Sequence, residues 1–326
     1  MAFIRQYELV IGKPVLLSNI NELSSLVNDT KQNAYRITDL QIDFDIKKDN
    51  THRANLGTIS ITNLSDEVVN YINENASNRL AVLLKAGYKD QGMQTIVQAE
   101  VSHFEDNWSS DLVTRTTKLT LSDGETALLT ATTSRAYRKG TLLNKILDDL
   151  VLDMNLPRGR IVPYAATETL SYSKSFTGVA SDNLKNLADA TGRTFSVQDG
   201  AVYYTVLGKA LKQDVLQLDY DSGLIGIPSV RAMSAKQLYE LDKKKDKAKK
   251  AEVKKKIENK EDVGLMVTCL LNGAIIPETT IYLKSKYVTG FFKAVEVAHS
   301  GSYESDGESS WTTEIKLAEV DGKLIE

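Results

Sequence analysis

The chain has 326 residues, 42% of them hydrophobic and 25% charged, and a formal net charge of −3. This is ordinary globular composition, able to form real cores and long enough for two or three domains of roughly 100–200 residues each. A single cysteine, Cys269, excludes an internal disulfide and a cysteine-built metal cluster.

The charge is unevenly spread. The window Lys243–Asp262 reads KKKDKAKKAEVKKKIENKED, ten lysines against five acids, so a basic appendage stands on an acidic body. Such asymmetry points to oriented contact with a partner rather than general nucleic-acid affinity. The opening Met-Ala-Phe-Ile-Arg-Gln-Tyr lacks the charged region and apolar core of a signal peptide. No apolar run approaches the roughly 20 residues that cross a bilayer. These features predict synthesis and folding in a cytoplasm and no membrane insertion.

In chain order, the first 130 or so residues read as strands. In Asp39-Leu-Gln-Ile-Asp-Phe-Asp-Ile-Lys47, Leu40, Ile42, Phe44 and Ile46 share one face, and Asp39, Gln41, Asp43 and Asp45 share the other. A period of two marks a half-buried strand with one wet, acidic face. Further strands are expected at Tyr7–Ile11, Gly57–Thr62, Leu80–Ala86, Thr95–Phe104 and Thr116–Ser122. Their close spacing favours an antiparallel barrel or sandwich. A short helix interrupts them, with Ser65 as N-cap, Leu64 and Val69 as the staple and an end near Asn75.

The middle changes character. Leu143, Ile146, Leu147, Leu150, Val151 and Met154 form the stripe of an amphipathic helix, with Thr141 as its expected cap and Pro157 barring its continuation. A second helix is expected after Ser181, with Leu184, Leu187 and Ala188 inward and Gly192 as its stop. Thr194–Val197 and Ala201–Val206 flank Asp199-Gly200, a hairpin signal because both turn positions need positive φ. Strand patterns return from Val215: Ile281 and Leu283, Val295 and Val297, then Trp311, Thr313, Ile315 and Leu317. The lysine-rich segment interrupts this set. With no Pro or Gly from Ala232 to Val263, it is expected to be a helix or helical hairpin with little to bury. The expected fold is mainly β with a small α+β middle domain: two antiparallel β-barrel-like domains plus a Lys-rich helical insertion. The expected boundaries are 1–132, 133–210 and 211–326, with the insertion at about 233–262.

Chemical motifs are sparse. The three histidines, His52, His103 and His299, have no second His or Cys at ligand spacing; His103 and His299 read as hydrogen-bonded structural imidazoles. No G-x-S-x-G elbow, G-x-G-x-x-G after a strand, or G-x-x-x-x-G-K-[ST] occurs. Ser305-Asp306-Gly307-Glu308 is not a full calcium loop, and Trp108 and Trp311 are too isolated for a stacking platform. Asp39, Asp43 and Asp45 read either as a solvated surface or as a cation site. The lysines, interleaved with Asp246, Glu252 and Glu258, read as a solvated face sooner than a phosphate grip. No catalytic residue, cofactor or metal is expected.

Several segments together resemble the baseplate hub proteins of phage tails, the family that includes the late-control protein D type. They are Leu121-Ser-Asp-Gly-Glu-Thr-Ala-Leu-Leu129 with Lys139-Gly-Thr-Leu-Leu-Asn-Lys-Ile-Leu147, then Phe176-Thr-Gly-Val-Ala-Ser-Asp-Asn-Leu-Lys-Asn-Leu-Ala-Asp-Ala-Thr-Gly192 leading into Asp199-Gly200. Leu224-Ile-Gly-Ile-Pro228, Val267-Thr-Cys-Leu-Leu-Asn-Gly273, Gly290–His299 and Trp311-Thr-Thr313 follow in order. Pro277 departs from a Pro-Gly usual after Leu-Leu-Asn, and the lysine run looks inserted into a hairpin that is usually short.

The resemblance implies two similar barrels per chain and a homotrimer, whose six barrels match a sixfold tail tube above and a threefold central spike below. It implies a virion location in the tail baseplate after assembly in the host cytoplasm. The implied partners are the tail tube or a tube-adaptor protein, the central spike, the tape-measure protein and neighbouring baseplate proteins, with DNA only in transit. Asp39, Asp43 and Asp45 are candidates for the lumen wall. Lys243, Lys244, Lys245, Lys247, Lys249, Lys250, Lys254, Lys255 and Lys256 are candidates for partner contact. The expected function is a non-enzymatic structural hub; the alternatives are the hub of a tail-derived bacterial injection system and a tail-associated cell-wall hydrolase.

Overall fold

The computed structural model describes residues 4–13, 34–110, 113–212, 215–231, 264–304 and 310–320. The chain is mainly β, with antiparallel pairing dominant and four short α-helices among the described residues. It separates into two compact units. Unit 1 takes Met1–Val206, Leu271–Ala274 and His299–Trp311; unit 2 takes Leu207–Leu270, Ile275–Ala298 and Thr312–Glu326. The lysine-rich segment, and with it the expected helical insertion, lies outside the described residues.

Unit 1 opens with β1 (Arg5–Gly12), β2 (Ala34–Ile37), β3 (Ile42–Asp49), β4 (Leu56–Thr62), helix α1 (Asp66–Glu74), β5 (Ala81–Tyr88), β6 (Gly92–Trp108) and β7 (Arg115–Ser122). Their order across the sheet is β3-β4-β7-β6-β5-β1-β2. Alternation sets the register: Phe44 lies opposite Ile59, Ile59 opposite Leu119, and Leu119 opposite Phe104. Ile42, Ile46, Ile59, Ile61 and Leu119 are fully buried, and each such side chain contributes about 1.5–3 kcal/mol. Ser65 caps α1, its hydroxyl accepting from the Val68 amide at 3.5 Å, and Leu64 and Val69 are buried as the staple reading expects. The strand expected from Asp39 starts only at Ile42, and Asp39 and Leu40 lie in the bend before it. The bend is held by Tyr7, whose hydroxyl donates to the Leu40 carbonyl and accepts from the Leu40 amide.

The middle of unit 1 has its own core. Helix α2 (Glu125–Thr130) is followed by β8 (Thr132–Tyr137), α3 (Leu143–Asp153), β9 (Arg158–Ile161), β10 (Lys174–Val179), α4 (Ala180–Ala190), β11 (Arg193–Gln198) and β12 (Ala201–Val206). Leu143, Ile146, Leu147, Leu150, Val151 and Met154 all enter this core, with Leu184, Leu187 and Ala188 from α4 and Leu128 from α2. One capping expectation fails. Thr141 donates its hydroxyl to the Arg138 carbonyl, in a turn before α3, and α3 has no side-chain cap. The helix expected after Ser181 starts at Ala180, so Ser181 lies inside α4, where its hydroxyl donates to the Leu128 carbonyl at 2.7 Å. Gly192, with φ +64°, ends α4 as expected.

Unit 2 is built from β13 (Leu216–Leu218), β14 (Leu224–Arg231), β15 (Gly264–Leu270), β16 (Thr280–Lys284), β17 (Thr289–Tyr303) and β18 (Trp311–Glu319), in the order β14-β15-β18-β17-β16-β13. By residue, His299–Tyr303 of β17 and Trp311 of β18 count with unit 1. Val267, Cys269, Ile281, Leu283, Val297, Ile315 and Leu317 form the unit 2 core. Burial pushes the Cys269 thiol up to about 12, so it is an inert packing group. Lys293 Nζ meets Glu278 Oε2 at 2.7 Å, with both side chains almost inaccessible.

The same six-strand order occurs twice. Substituting β14, β15, β18, β17, β16 and β13 for β3, β4, β7, β6, β5 and β1 converts one order into the other. In each set the longest strand, β6 or β17, is the middle strand shared by two consecutive hairpins. The copies differ at the end of the row, where β1 runs antiparallel to β5 but β13 runs parallel to β16. They differ also in the first hairpin. A six-residue loop, residues 50–55, links β3 to β4, whereas Arg231 pairs with Gly264 and the chain leaves β14 for the lysine-rich stretch at that point.

Candidate functional site

Two surfaces of unit 1 concentrate its functional groups. The first is the wet face of the sheet. Asp45 lies opposite Thr58, Thr58 opposite Thr120, and Thr120 opposite His103. The next row runs Asp43, Ser60, Lys118, Glu105, and the next Thr62, Thr116, Asn107. Two rows across four strands and a third across three thus carry no apolar side chain. Asp45 pairs with Lys47 at 3.1 Å, an exposed pair worth little. Asp39 does not share this face; its carboxylate accepts from the Thr38 hydroxyl at 2.9 Å in the preceding bend. His103 is exposed beside Glu105, 3.3 Å away, and is no core imidazole. His299 is buried in β17. Among the described residues no cluster of three or more His, Cys, Asp or Glu has metal-binding geometry. The nine candidate lysines lie outside the described residues.

The second is a buried polar joint, and the sequence reading missed it. Even-numbered residues of β3 point inward, so the Ile42, Phe44, Ile46 series ends on a charged residue, Lys48, whose side chain is fully inaccessible. Its ammonium donates at 2.7 Å to both carboxylate oxygens of Asp199, in the β11–β12 turn. That turn has φ +50° at Asp199 and +74° at Gly200, as the Asp-Gly signal requires. Asp123, just beyond β7, accepts the Asp199 amide at 2.7 Å and the Gly200 amide at 2.8 Å, one on each oxygen. Asn55 donates to the Val197 carbonyl and to Gln198 Oε1, both at 2.9 Å, and Gln198 donates to the Asp49 carbonyl at 2.6 Å. The ends of β3, β4 and β7 therefore clasp one hairpin turn of the middle core. Gly124 closes the approach: its φ is +66°, and an added Cβ would stand 2.7 Å from Val197 Cγ1.

Electrostatically the joint holds two carboxyl groups against one ammonium. Burial pushes the Asp123 carboxyl up to about 7; the nearby Asp199 carboxylate adds to the rise, and the Gly200 amide and Lys48 pull it back. The joint works as a clasp: Asp199 also accepts the Gln98 amide at 3.1 Å, which ties the turn to β6 as well. The signal that would have found it is Lys48 in an inward slot of a strand. The two segments Leu121–Leu129 and Asp199-Gly200, more than seventy residues apart in sequence, meet here through Asp123.

No protein-family model and no curated sequence matches the chain. Solved structures do. A tail protein from Neisseria meningitidis MC58 aligns with TM-score 0.59 and 12% identity over 96% of each chain. The 43 kDa tail protein of prophage MuSo2 from Shewanella oneidensis aligns with TM-score 0.59 and 9% identity, over 96% of this chain and 98% of that one. The E. coli c3393 protein, a component of the type VI secretion system described as similar to the T4 tail proteins gp27 and gp5, aligns with TM-score 0.57 and 10% identity, over 88% of this chain and 75% of that one. The chain therefore shares the mainly β fold of these tail proteins and of the type VI secretion component.

Proposed function

We propose that this chain is the structural hub of a phage tail baseplate, acting through stable interfaces and not through catalysis. The observation that carries the reading is the six-strand order that occurs twice in one chain. A duplicated subunit bridges a symmetry mismatch: three copies present six equivalent sheets to a sixfold tube and three equivalent faces to a threefold spike. On this reading the chain has an N-terminal barrel at 1–132, a middle α+β domain at 133–210 and a C-terminal barrel at 211–326. The middle domain hangs on the first barrel through the Lys48–Asp199–Asp123 clasp.

The reading places the protein in the tail of the virion after cytoplasmic assembly, with the tail tube or its adaptor on one side and the central spike on the other. Tape-measure protein and then DNA pass through the ring. The polar rows through Asp43 and Asp45 suit a lumen wall, because their carboxylates repel the phosphates of a passing polyanion. The lysine-rich segment, leaving at the Arg231–Gly264 end of a hairpin, suits contact with an acidic neighbour in the baseplate.

The likeness to the E. coli secretion component supports a second reading, the hub of a tail-derived injection machine. The genes neighbouring this one separate the two. The test of the hub reading is the native mass of the full chain, alone and with candidate spike and tube proteins. A trimer, or a stable complex with either protein, is expected. A chain that stays monomeric and binds neither would overturn the reading. Clearing of peptidoglycan by the purified chain would overturn its non-enzymatic part in favour of a cell-wall hydrolase.

A further inference from the structure

One corner of the middle core of unit 1 collects four cations. The turn after β8 and the segment before β10 lie side by side there. The Lys139 amide donates to the Ser173 hydroxyl at 3.1 Å, the Gly140 amide to the Leu170 carbonyl at 2.9 Å, and the Leu170 amide to the Thr141 carbonyl at 2.8 Å. Leu142 bridges to Thr169, and Lys174 lies opposite Tyr137. These contacts bring Arg138, Lys139 and Lys174 to one edge. Lys145 joins them, because it lies in the first turn of α3 and a helical side chain leans toward the N-terminus of its own helix.

The carboxylates nearby are engaged elsewhere. Asp148 meets Arg158 at 2.7 Å, Asp153 meets Arg135 at 2.6 Å, and Asp149 accepts from the Tyr137 hydroxyl at 2.8 Å. Glu168 Oε1 accepts the Ala165 amide at 2.8 Å. Among the described residues, none of Arg138, Lys139, Lys145 and Lys174 has a carboxylate at ion-pair distance, whereas Arg36, Arg79, Arg115, Arg135 and Arg158 of the same unit each have one. The first turn of α3 carries no acidic residue, so the positive end of the helix adds to the local field. Two large side chains of apolar character stand exposed in the same corner, Leu142 at 47% and Tyr172 at 63%.

We infer that this corner docks an acidic protein segment that carries an apolar side chain of its own. Four cations without a carboxylate complement a negative partner. Leu142 decides between classes of partner. An aliphatic group gains nothing from a phosphate backbone, but a protein side chain can cover it, and an exposed Tyr beside an Arg suits a protein interface. The corner is also pre-ordered. Gly140 turns the chain at φ +85°, and the Thr141 hydroxyl and amide close on the Arg138 carbonyl at 2.8 and 3.2 Å. Little ordering is therefore left to lose on docking. The surface is distinct in sequence from the lysine-rich segment, and the inference goes beyond the hub reading without needing the trimer.

Zero-length carbodiimide coupling of the full chain to a peptide probe tests this. The probe is a peptide of glutamates with a central Leu-Phe pair, and a second probe has Ser-Ser in its place. Coupling joins a probe carboxylate to a lysine amine with net loss of water, only where the two touch, and peptide mapping locates each link. Lys139, Lys145 and Lys174 should link to the Leu-Phe probe at least about tenfold more than Lys89, an exposed lysine of the β5–β6 turn. Leu142→Ser should lower this linkage and Arg138→Glu should nearly abolish it, with thermal melts unchanged. Linkage spread evenly over the exposed lysines, or confined to the lysine-rich segment, overturns the inference. So does equal linkage by the Ser-Ser probe. Displacement of the probe from the corner by a single-stranded oligonucleotide at equal concentration also overturns it and assigns the corner to nucleic acid. The native mass is read on the same preparation. Corner-specific linkage on a monomer that binds neither spike nor tube protein keeps this inference and sinks the hub reading, and a trimer without such linkage does the reverse.

Discussion

Lys48 Nζ lies 2.7 Å from both carboxylate oxygens of Asp199, a residue 151 positions further along the chain. The pair fastens the first sheet to the middle core of unit 1 at a point where water has no access to the ammonium. Removing one partner of such a pair strands a charge in a medium that solvates it poorly. Lys48→Met should therefore cost about 3–5 kcal/mol, read as a lowered urea midpoint. A loss under about 1 kcal/mol, the range of an exposed pair, would mean that the joint is open to solvent.

Asp123 gives the joint a pH dependence of definite sign. Its ordinary value is 3.8, and the folded protein raises it to about 7. Between those values the unfolded chain releases the proton and the folded chain keeps it, so rising pH favours unfolding. The stabilisation is complete below 3.8 and lost as pH passes about 7. The urea midpoint of the parent, measured against that of Asp123→Asn, should fall across this window. A constant difference would mean that Asp123 is ionised throughout. Asp123→Ala should cost about 2–4 kcal/mol at low pH, because it leaves two turn amides without acceptors, and the cost should shrink as pH rises through the same window.

The buried pair of unit 2 permits an independent check. Glu278→Ala leaves the Lys293 ammonium, 2% exposed, without its carboxylate. The expected loss is again about 3–5 kcal/mol, and it should appear in the unfolding of unit 2. Replacing both residues with apolar ones of similar volume should recover most of it.

Gly301 has no room for a side chain: a Cβ would stand 2.2 and 2.3 Å from Phe44 ring atoms and 2.9 Å from Trp311 Cε3. Gly301→Ala should destabilise by about 1–3 kcal/mol. Adding Phe44→Leu, which removes part of the ring, should restore some of that loss. Thermal melts of the two variants decide it; an additive double variant would show that the ring and the glycine do not share the space.

The charged candidates are tested on assembled tails. Replacing Asp39, Asp43 and Asp45 with Lys should leave assembly intact and slow genome ejection. Asp39 should contribute least, because it lies in the bend before β3 and not on the wet face. Deleting Ser234–Asp262 should leave a folded chain that incorporates poorly into tails; normal incorporation would make the lysine-rich segment dispensable.

Much of this protein was legible before any coordinates. Alternation in Ile42, Phe44 and Ile46 marked β3, the i, i+3, i+4 stripe from Leu143 to Met154 marked α3, and Asp199-Gly200 marked the hairpin, because each is a local periodicity or a local backbone requirement. The helix cap at Thr141 was misread because its hydroxyl donates to the Arg138 carbonyl in the preceding turn, a contact that sequence spacing does not show. The strand order, its repetition and the meeting of Lys48, Asp123 and Asp199 depend on contacts between residues tens to hundreds of positions apart. Such contacts are chosen by packing and by the need to pair every buried polar group, and no window of sequence contains both partners.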